Sequence, residues 1–406
     1  MNKATLSILG IVLMSSAAML PAAAAPRHVA HFRGLVAERF GHRLDNGQGA
    51  AGSLRQHKAA SKSASGTSPS DTQFTIIDAP DADPNLYGTR VFGINESGTI
   101  SGQYVDANGR FRAFLRTEDN AYTPISVRKH DTFVGILNDK GDVYGSYYVD
   151  KKSGLEATWV RYANGKVKTI QPPDAVNGSF GQSVNNKSVV MGNYIDGNGA
   201  FHTFTYDKHG TLTELPDAPG AGSGEGQGSQ GITINDAGEI SGGYTDSNNV
   251  IHGFVRSSDG TYITFDVPGA GTGTLQGSDA VEMDGKGLVS GQYIDSNDVY
   301  HGFLCNISNC SDTFVSVDAP DAGPAPGQGT VAVEHHEAGW SVGEYIDSAN
   351  MQHGFLRKNS GTIVEFDPPG VGGLGTYTVW SSNRDHQIAG TFQDENGIRH
   401  GFIRNP

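Results

Sequence analysis

The chain is poor in cysteine, in positive charge and in long apolar runs. Two Cys in 406 residues cannot build a disulfide scaffold or a four-thiolate zinc centre. Twenty-nine Lys and Arg against 43 Asp and Glu leave a formal charge of −14, which argues against a surface that neutralises nucleic-acid phosphates. The one apolar stretch of any length, from Leu6 to Leu20, falls short of the ~20 residues that span a bilayer, so the chain is not expected to cross a membrane. Also missing are a G-x-S-x-G elbow, a phosphate loop, an H-E-x-x-H pair and a dinucleotide fingerprint placed before a helix. What is plentiful is glycine. The 56 Gly residues are about twice the usual share, while Gly and Pro together stay below the level of low-complexity chains, so the composition describes a folded protein dense in tight turns.

Residues 1–24 read as a secretory signal peptide: Lys3 gives the positive start, the apolar run follows, and Ala22 and Ala24 form an A-x-A cleavage site. Residues 25–70 read as a basic arm and linker. Five Arg and two Lys stand there against Glu38 and Asp45, and the segment ends in the small-residue run KAASKSASGTSPS, the composition of a solvated linker. A short basic amphipathic helix that attaches to a membrane surface or an acidic partner is the alternative for its first half. Without these segments, residues 71–406 carry a net −20. A secreted protein, extracellular or periplasmic, is expected.

From Asp71 onward one unit recurs. The clearest copies are GEISGGYTDSNNVIHGFVR from Gly238, GLVSGQYIDSNDVYHGFLC from Gly287 and GWSVGEYIDSANMQHGFLR from Gly339. A Tyr-x-Asp element ends at Asp106, Asp150, Asp196, Asp246, Asp295 and Asp347, with a Phe-x-Asp version at Asp394, at steps of 44 to 52 residues. Six residues after each acid stands Arg112, Glu156, His202, His252, His301, His353 or His400. Alternating segments separated by N-x-x-G and D-x-N-G turns read as hairpins, because Asn and Gly accept positive φ at little cost. Each unit then holds four strands: one before N-x-x-G, one ending in Tyr-x-Asp, one through His-x-Phe and one through Phe-Asp-x-Pro. The expected fold is all-β, a seven-bladed β-propeller with four antiparallel strands per blade. The ends complement each other. The last unit stops after its third strand, and FTIIDAPDA from Phe74 is a fourth strand with no unit before it, so the N-terminal strand should close the seam and remove its exposed edges. A parallel β-helix or open solenoid is the competing architecture. A monomer is the expected state.

The His-x-Phe element, preceded by G-x-Y-x-D and spaced near 48 residues, resembles the HAF family of probable extracellular repeat proteins of bacteria, over residues 74–406. The resemblance implies secretion and a repetitive β architecture. It brings no catalytic residues, and units one and two depart from it with Arg112-Ala113-Phe114 and Glu156-Ala157-Thr158-Trp159.

Antiparallel parity places the Tyr-x-Asp turns at the same end as the fourth-strand acids Asp78, Asp174, Asp217, Asp266, Asp318 and Asp367. Such a rim would suit Ca²⁺, which takes 6–8 oxygens, or a polyhydroxylated or cationic ligand. Alternatively the Asp side chains cap their own turns. An EF-hand is excluded, since Ala200 and Phe201 stand where a ligand and Gly are needed after Asp196. The five His residues, as near-equivalent partners of the turn acids, point to a structural network. His335-His336-Glu337 makes a poor metal set because strand neighbours point to opposite sides. Cys305 and Cys310 are expected to form a disulfide. The reading that results is a secreted binding module for an extracellular carbohydrate or protein. A Ca²⁺-dependent propeller lyase or hydrolase acting on an extracellular sugar or ester is the first alternative, and a structural envelope protein the second.

Overall fold

The computed structural model describes residues 73–336 and 338–406. The signal-peptide and basic-arm readings fall outside the described residues, as does Glu337. The described chain is all-β: strands follow one another throughout, and a single helical turn, Ile307–Asn309 and Cys310–Thr313, interrupts them. No helix among the described residues is long and apolar enough to cross a membrane.

Unit four shows why the repeat folds as it does. Its strands are Gly228–Ile234, Ile240–Thr245, Ile251–Arg256 and Tyr262–Phe265, paired antiparallel in that order. The first turn is locked by Asn235, whose Oδ1 accepts from the backbone N–H groups of Ala237 and Glu239 at 3.0 Å. The second is locked in the same way by Asp246, accepting from Asn248 and Val250 at 2.8 Å. Short acceptors at these positions replace the backbone partners that a two-strand reversal leaves unmade. In the third strand, Phe254 is buried while His252, two residues earlier and on the same face, lies flat on Tyr244 across the pair, with ring centroids 4.8 Å apart. Gly253 between them has to be small, because a Cβ there would meet the Phe265 ring at 2.7 Å. The recurring His-Gly-Phe therefore encodes a stacked His, a core Phe and a gap for the fourth strand. Phe114, Phe204, Phe303, Phe355 and Phe402 are buried like Phe254. The first strand of every unit carries a β-bulge, as between Gly231 and Thr233, and bulges increase strand twist.

Consecutive units are joined by a second device. A first strand begins against the third strand of the unit before it, with Gly277 bridging in parallel to Ile251. Gly277 has φ +122°, and a Cβ would stand 1.9 Å from the Ile251 carbonyl oxygen, so only glycine fits. The next residue, Ser278, accepts from the Val267 N–H at 3.0 Å. Ser229 holds Ala218, and Thr330 holds Ala319, in the same way.

The N-terminal strand β1 (Phe74–Ile77) pairs antiparallel with Arg399–Arg404, Phe74 facing Arg404 and Ile77 facing Gly401. Phe74 packs between Phe366 and Phe402. The last unit also meets the first: Thr391 Oγ1 bonds both the N–H and the carbonyl of Val91 at 3.0 and 3.1 Å. On the end of the molecule away from the Tyr-x-Asp turns, the Asn that opens the first turn donates to the carbonyl of its counterpart in the next unit at four junctions. Asn383 reaches Asn95, Asn95 reaches Asn138, Asn138 reaches Asn185 and Asn185 reaches Asn235, at 2.8 to 3.3 Å. This belt runs from unit seven through unit four.

Candidate functional site

The seven turn acids lie at one end of the units, as parity requires. Six of them, Asp106, Asp196, Asp246, Asp295, Asp347 and Asp394, each accept with Oδ1 from the N–H groups two and four residues on, at 2.8 to 3.1 Å. Asp150 accepts from Lys152 N–H and the Ser153 hydroxyl. Burial would raise the carboxyls of Asp196, Asp246, Asp295 and Asp394, but the turn N–H bonds outweigh it and hold them below the usual Asp range.

Each histidine stands between two acids. The Nε2 atoms of His202, His252, His301, His353 and His400 lie 3.5 to 3.9 Å from Oδ2 of the turn acid of their own unit. Their Nδ1 atoms make the shorter bonds, 2.7 to 3.2 Å, to Asp217, Asp266, Asp318, Asp367 and Asp78. Sequence reasoning paired each His with the turn acid across the hairpin. The geometry instead gives the primary hydrogen bond to the fourth-strand acid and leaves the turn acid at ion-pair distance. Hydrogen bonds to Asp217, Asp318 and Asp78 raise His202, His301 and His400 above the ordinary imidazole value against an opposing burial effect. At His353 burial is the larger influence and lowers the value, but the Asp367 bond and the two nearby carboxylates overcome it. The outcome is an Asp–His–Asp ladder in five units, each capped by a stacked ring: Tyr194, Tyr244, Tyr293, Tyr345 or Phe392. The last ladder uses Asp78 from the opposite end of the chain.

Units one and two fill the place differently. Arg112 Nε donates to Asp106 Oδ2 at 2.9 Å, and Glu156 accepts from the Ser146 hydroxyl. What remains open on this end is the outer set of acids. The side chains of Asp78 and Asp266 are 55% and 54% exposed and that of Asp318 is 40% exposed, so each has acceptor capacity toward solvent.

The other singled-out residues sit apart from this rim. His335 is buried beside Ser341, at 3.0 Å from its hydroxyl, and burial lowers its pKa. His336 stacks on Trp340, with its Nε2 3.6 Å from Glu96. Among the described residues no group of three or more His, Cys, Asp or Glu side chains assembles to hold a metal ion. Cys305 and Cys310 are disulfide-bonded, joining the end of a third strand to the helical turn that follows it.

No known family's sequence profile matches the chain, and no curated protein matches it by sequence. Solved structures do match. Virginiamycin B lyase of Staphylococcus aureus superposes with a TM-score of 0.52 at 12% identity, over 82% of this chain and all of that one. The fold is propeller-like. The BP39L lectin of Burkholderia pseudomallei gives 0.50 at 10% identity, over 80% of this chain and 96% of that one. A prolyl endopeptidase gives 0.57 at 9% identity, over 79% of this chain and 49% of that one. At such identities the likeness speaks to the propeller-like fold alone, which serves binding and catalysis alike.

Proposed function

We propose that residues 71–406 close as a seven-bladed propeller, four antiparallel strands to a blade with β1 supplying the last, and that the protein is a secreted module that binds an extracellular carbohydrate or protein ligand. The pairing of β1 with Arg399–Arg404, the Asp78–His400 bond and the Thr391–Val91 bonds support the closure. The signal-peptide pattern and the Cys305–Cys310 disulfide support export to an oxidising compartment, and the likeness of the repeats to HAF proteins agrees with it.

The observation that carries the binding reading is the equivalence of the five ladders. Catalysis needs one asymmetric constellation of nucleophile, base and charge stabiliser, whereas repeated shallow sites with exposed carboxylate acceptors suit hydroxyl-rich ligands or Lys- and Arg-bearing segments. The Ca²⁺-dependent lyase or hydrolase reading is disfavoured, because the inner oxygen of each turn acid is already committed to backbone N–H groups. A panel of neutral and acidic glycans, probed first with Ca²⁺ and then with chelator, tests the proposal. Binding that survives the chelator and weakens in Asp266→Asn is the expected result. Absence of binding in both conditions removes the carbohydrate ligand, and turnover of a panel member removes the binding-only reading.

A further inference from the structure

The opposite end of the molecule holds a cleft that the ladders do not explain. It is an open cleft between the third-to-fourth turns of units two and three, with a volume of about 540 Å³, and is lined by Tyr162, Lys166 and Lys168 from one unit and Tyr206 and Lys208 from the next. Its size falls in the range of small-ligand sites.

Both walls are hydrogen-bonded turns. The first is a tight turn in which Gly165 N–H donates to the Tyr162 carbonyl at 2.8 Å. In the second, Asp207 Oδ1 accepts from the N–H groups of His209 and Thr211 at 2.9 and 2.8 Å. Asp142 closes the floor and is buried. It accepts from Asn138 Nδ2, the Ala163 N–H and the Ser188 hydroxyl at 3.1, 2.8 and 2.6 Å, so one side chain ties both units together.

The composition of the cleft is unlike the rest of the molecule. At the third-strand position occupied by Tyr206, five units carry Arg: Arg116, Arg161, Arg256, Arg357 and Arg404. There Arg256 covers Tyr262 and Arg404 covers Phe366. Unit three presents a phenol in place of that guanidinium. Of the ten Lys in residues 73–406, five (Lys140, Lys166, Lys168, Lys187 and Lys208) cluster at this end of units two and three, although the surrounding chain is strongly acidic. Among the described residues neither the Tyr162 nor the Tyr206 hydroxyl has a protein hydrogen-bond partner. Burial, with Tyr206, Asp142 and Asp207 nearby, pushes Tyr162 up to about 12; like any phenol at neutral pH its hydroxyl is protonated and can donate.

We infer that this cleft is a second binding site, for a sugar that carries a carboxylate or sulfate group. The lysines match the anionic group, and the two phenols offer ring faces and hydroxyls to the pyranose. A long polyphosphate chain fits worse, since the acidic body repels it beyond the cleft. The site is separate from the acid-rich end and is tested separately.

The test is calorimetric titration of the full chain with three probes: a galacturonic acid trisaccharide, its methyl ester, and a sulfated disaccharide. The expected result is saturable binding of one anionic probe, which identifies the anionic group, with the methyl ester at least tenfold weaker than the trisaccharide if the carboxylate is that group. The double variant Lys166→Ala, Lys168→Ala should lose at least tenfold. Tyr206→Arg reproduces the residue of five other units, so it should fold, and it should weaken sugar binding despite its added charge. Absence of binding by both anionic probes, or parent affinity for them in the double variant, overturns the inference. Tighter binding by Tyr206→Arg marks a bare anion patch and overturns the sugar. Neutral-glycan binding that all these variants retain keeps the acid-rich end as a binding surface even then.

Discussion

Removing strand β1 is the sharpest test of the proposed closure. β1 contributes two strongly buried side chains, Phe74 at 8% and Ile77 at 1% exposure. Burial of a Phe or Ile side chain contributes ~1.5–3 kcal/mol, so losing both costs ~3–6 kcal/mol before the paired edge of Arg399–Arg404 is counted. That is a large share of the ~5–15 kcal/mol by which a domain is stable. For roughly 330 residues unfolding together, the unfolding entropy is ~0.7 kcal/mol per degree, so the loss lowers Tm by ~4–9 °C. Calorimetry of a variant lacking residues 74–80 reads this directly. Phe74→Ala should give about half the shift, because Phe366 and Phe402 keep one another. Ile76→Ala is the internal control: on the same strand but 41% exposed, it should change stability by no more than ~0.5 kcal/mol. A deletion variant that melts within a degree of the parent, with its near-ultraviolet spectrum intact, would refute the closure by β1 altogether.

The ladders predict a pH dependence. The raised values of His202, His301, His353 and His400 mean that the folded state holds these protons more tightly than the unfolded chain. Their contribution is complete below the unfolded value near ~6.5 and is lost as pH rises through the folded values. Tm should fall between mildly acidic and mildly alkaline buffer, and NMR titration should place these imidazoles above ~6.5; midpoints at or below it contradict the ladder. The turn acids act in the opposite sense, with the stability from lowered Asp196, Asp246, Asp295 and Asp394 lost only as pH falls through their folded values. Reducing the Cys305–Cys310 bond opens a short loop and should cost ~2 kcal/mol; a scan with and without reductant that gives one Tm argues otherwise. Gly277→Ala, with its Cβ against the Ile251 carbonyl, should cost at least ~2 kcal/mol, while Gly285→Ala, which meets nothing within 4 Å, should be near neutral in the same denaturant titration.

Strand order and turn chemistry were legible in the chain because they are local. Asn235 and Asp246 act on residues two and four positions away, and the alternation of Ile240–Thr245 is read from six residues. The partners of the histidines were not legible. Asp217, Asp266, Asp318 and Asp367 follow their His by 15, 14, 17 and 14 residues and Asp78 precedes His400 by 322, so no fixed spacing marks them, and only the pairing of third with fourth strands brings them together. The unit-joining glycines did leave a signal. Gly followed by Ser or Thr at 88–89, 178–179, 228–229, 277–278 and 329–330 stands at the start of a first strand, and Gly375–Thr376 lies inside the longer first strand Val371–Ser382, where it meets Gln352 of the unit before. The Tyr206 cleft was hidden for a different reason, since attention to what repeats passes over a single position at which one unit differs from most of the others.

Asn405 N–H donates to the Gln73 carbonyl at 2.7 Å, so the two ends of the described chain meet in the same sheet. With residues 1–72 removed, a few residues would link Gln73 to Asn405, and the backbone could then be reopened at an exposed turn such as Ser257–Gly260 with every sheet intact. For a molecule that presents different chemistry at its two ends, the choice of cut would decide which end is turned toward whatever is fused or anchored there, without changing the binding surfaces themselves.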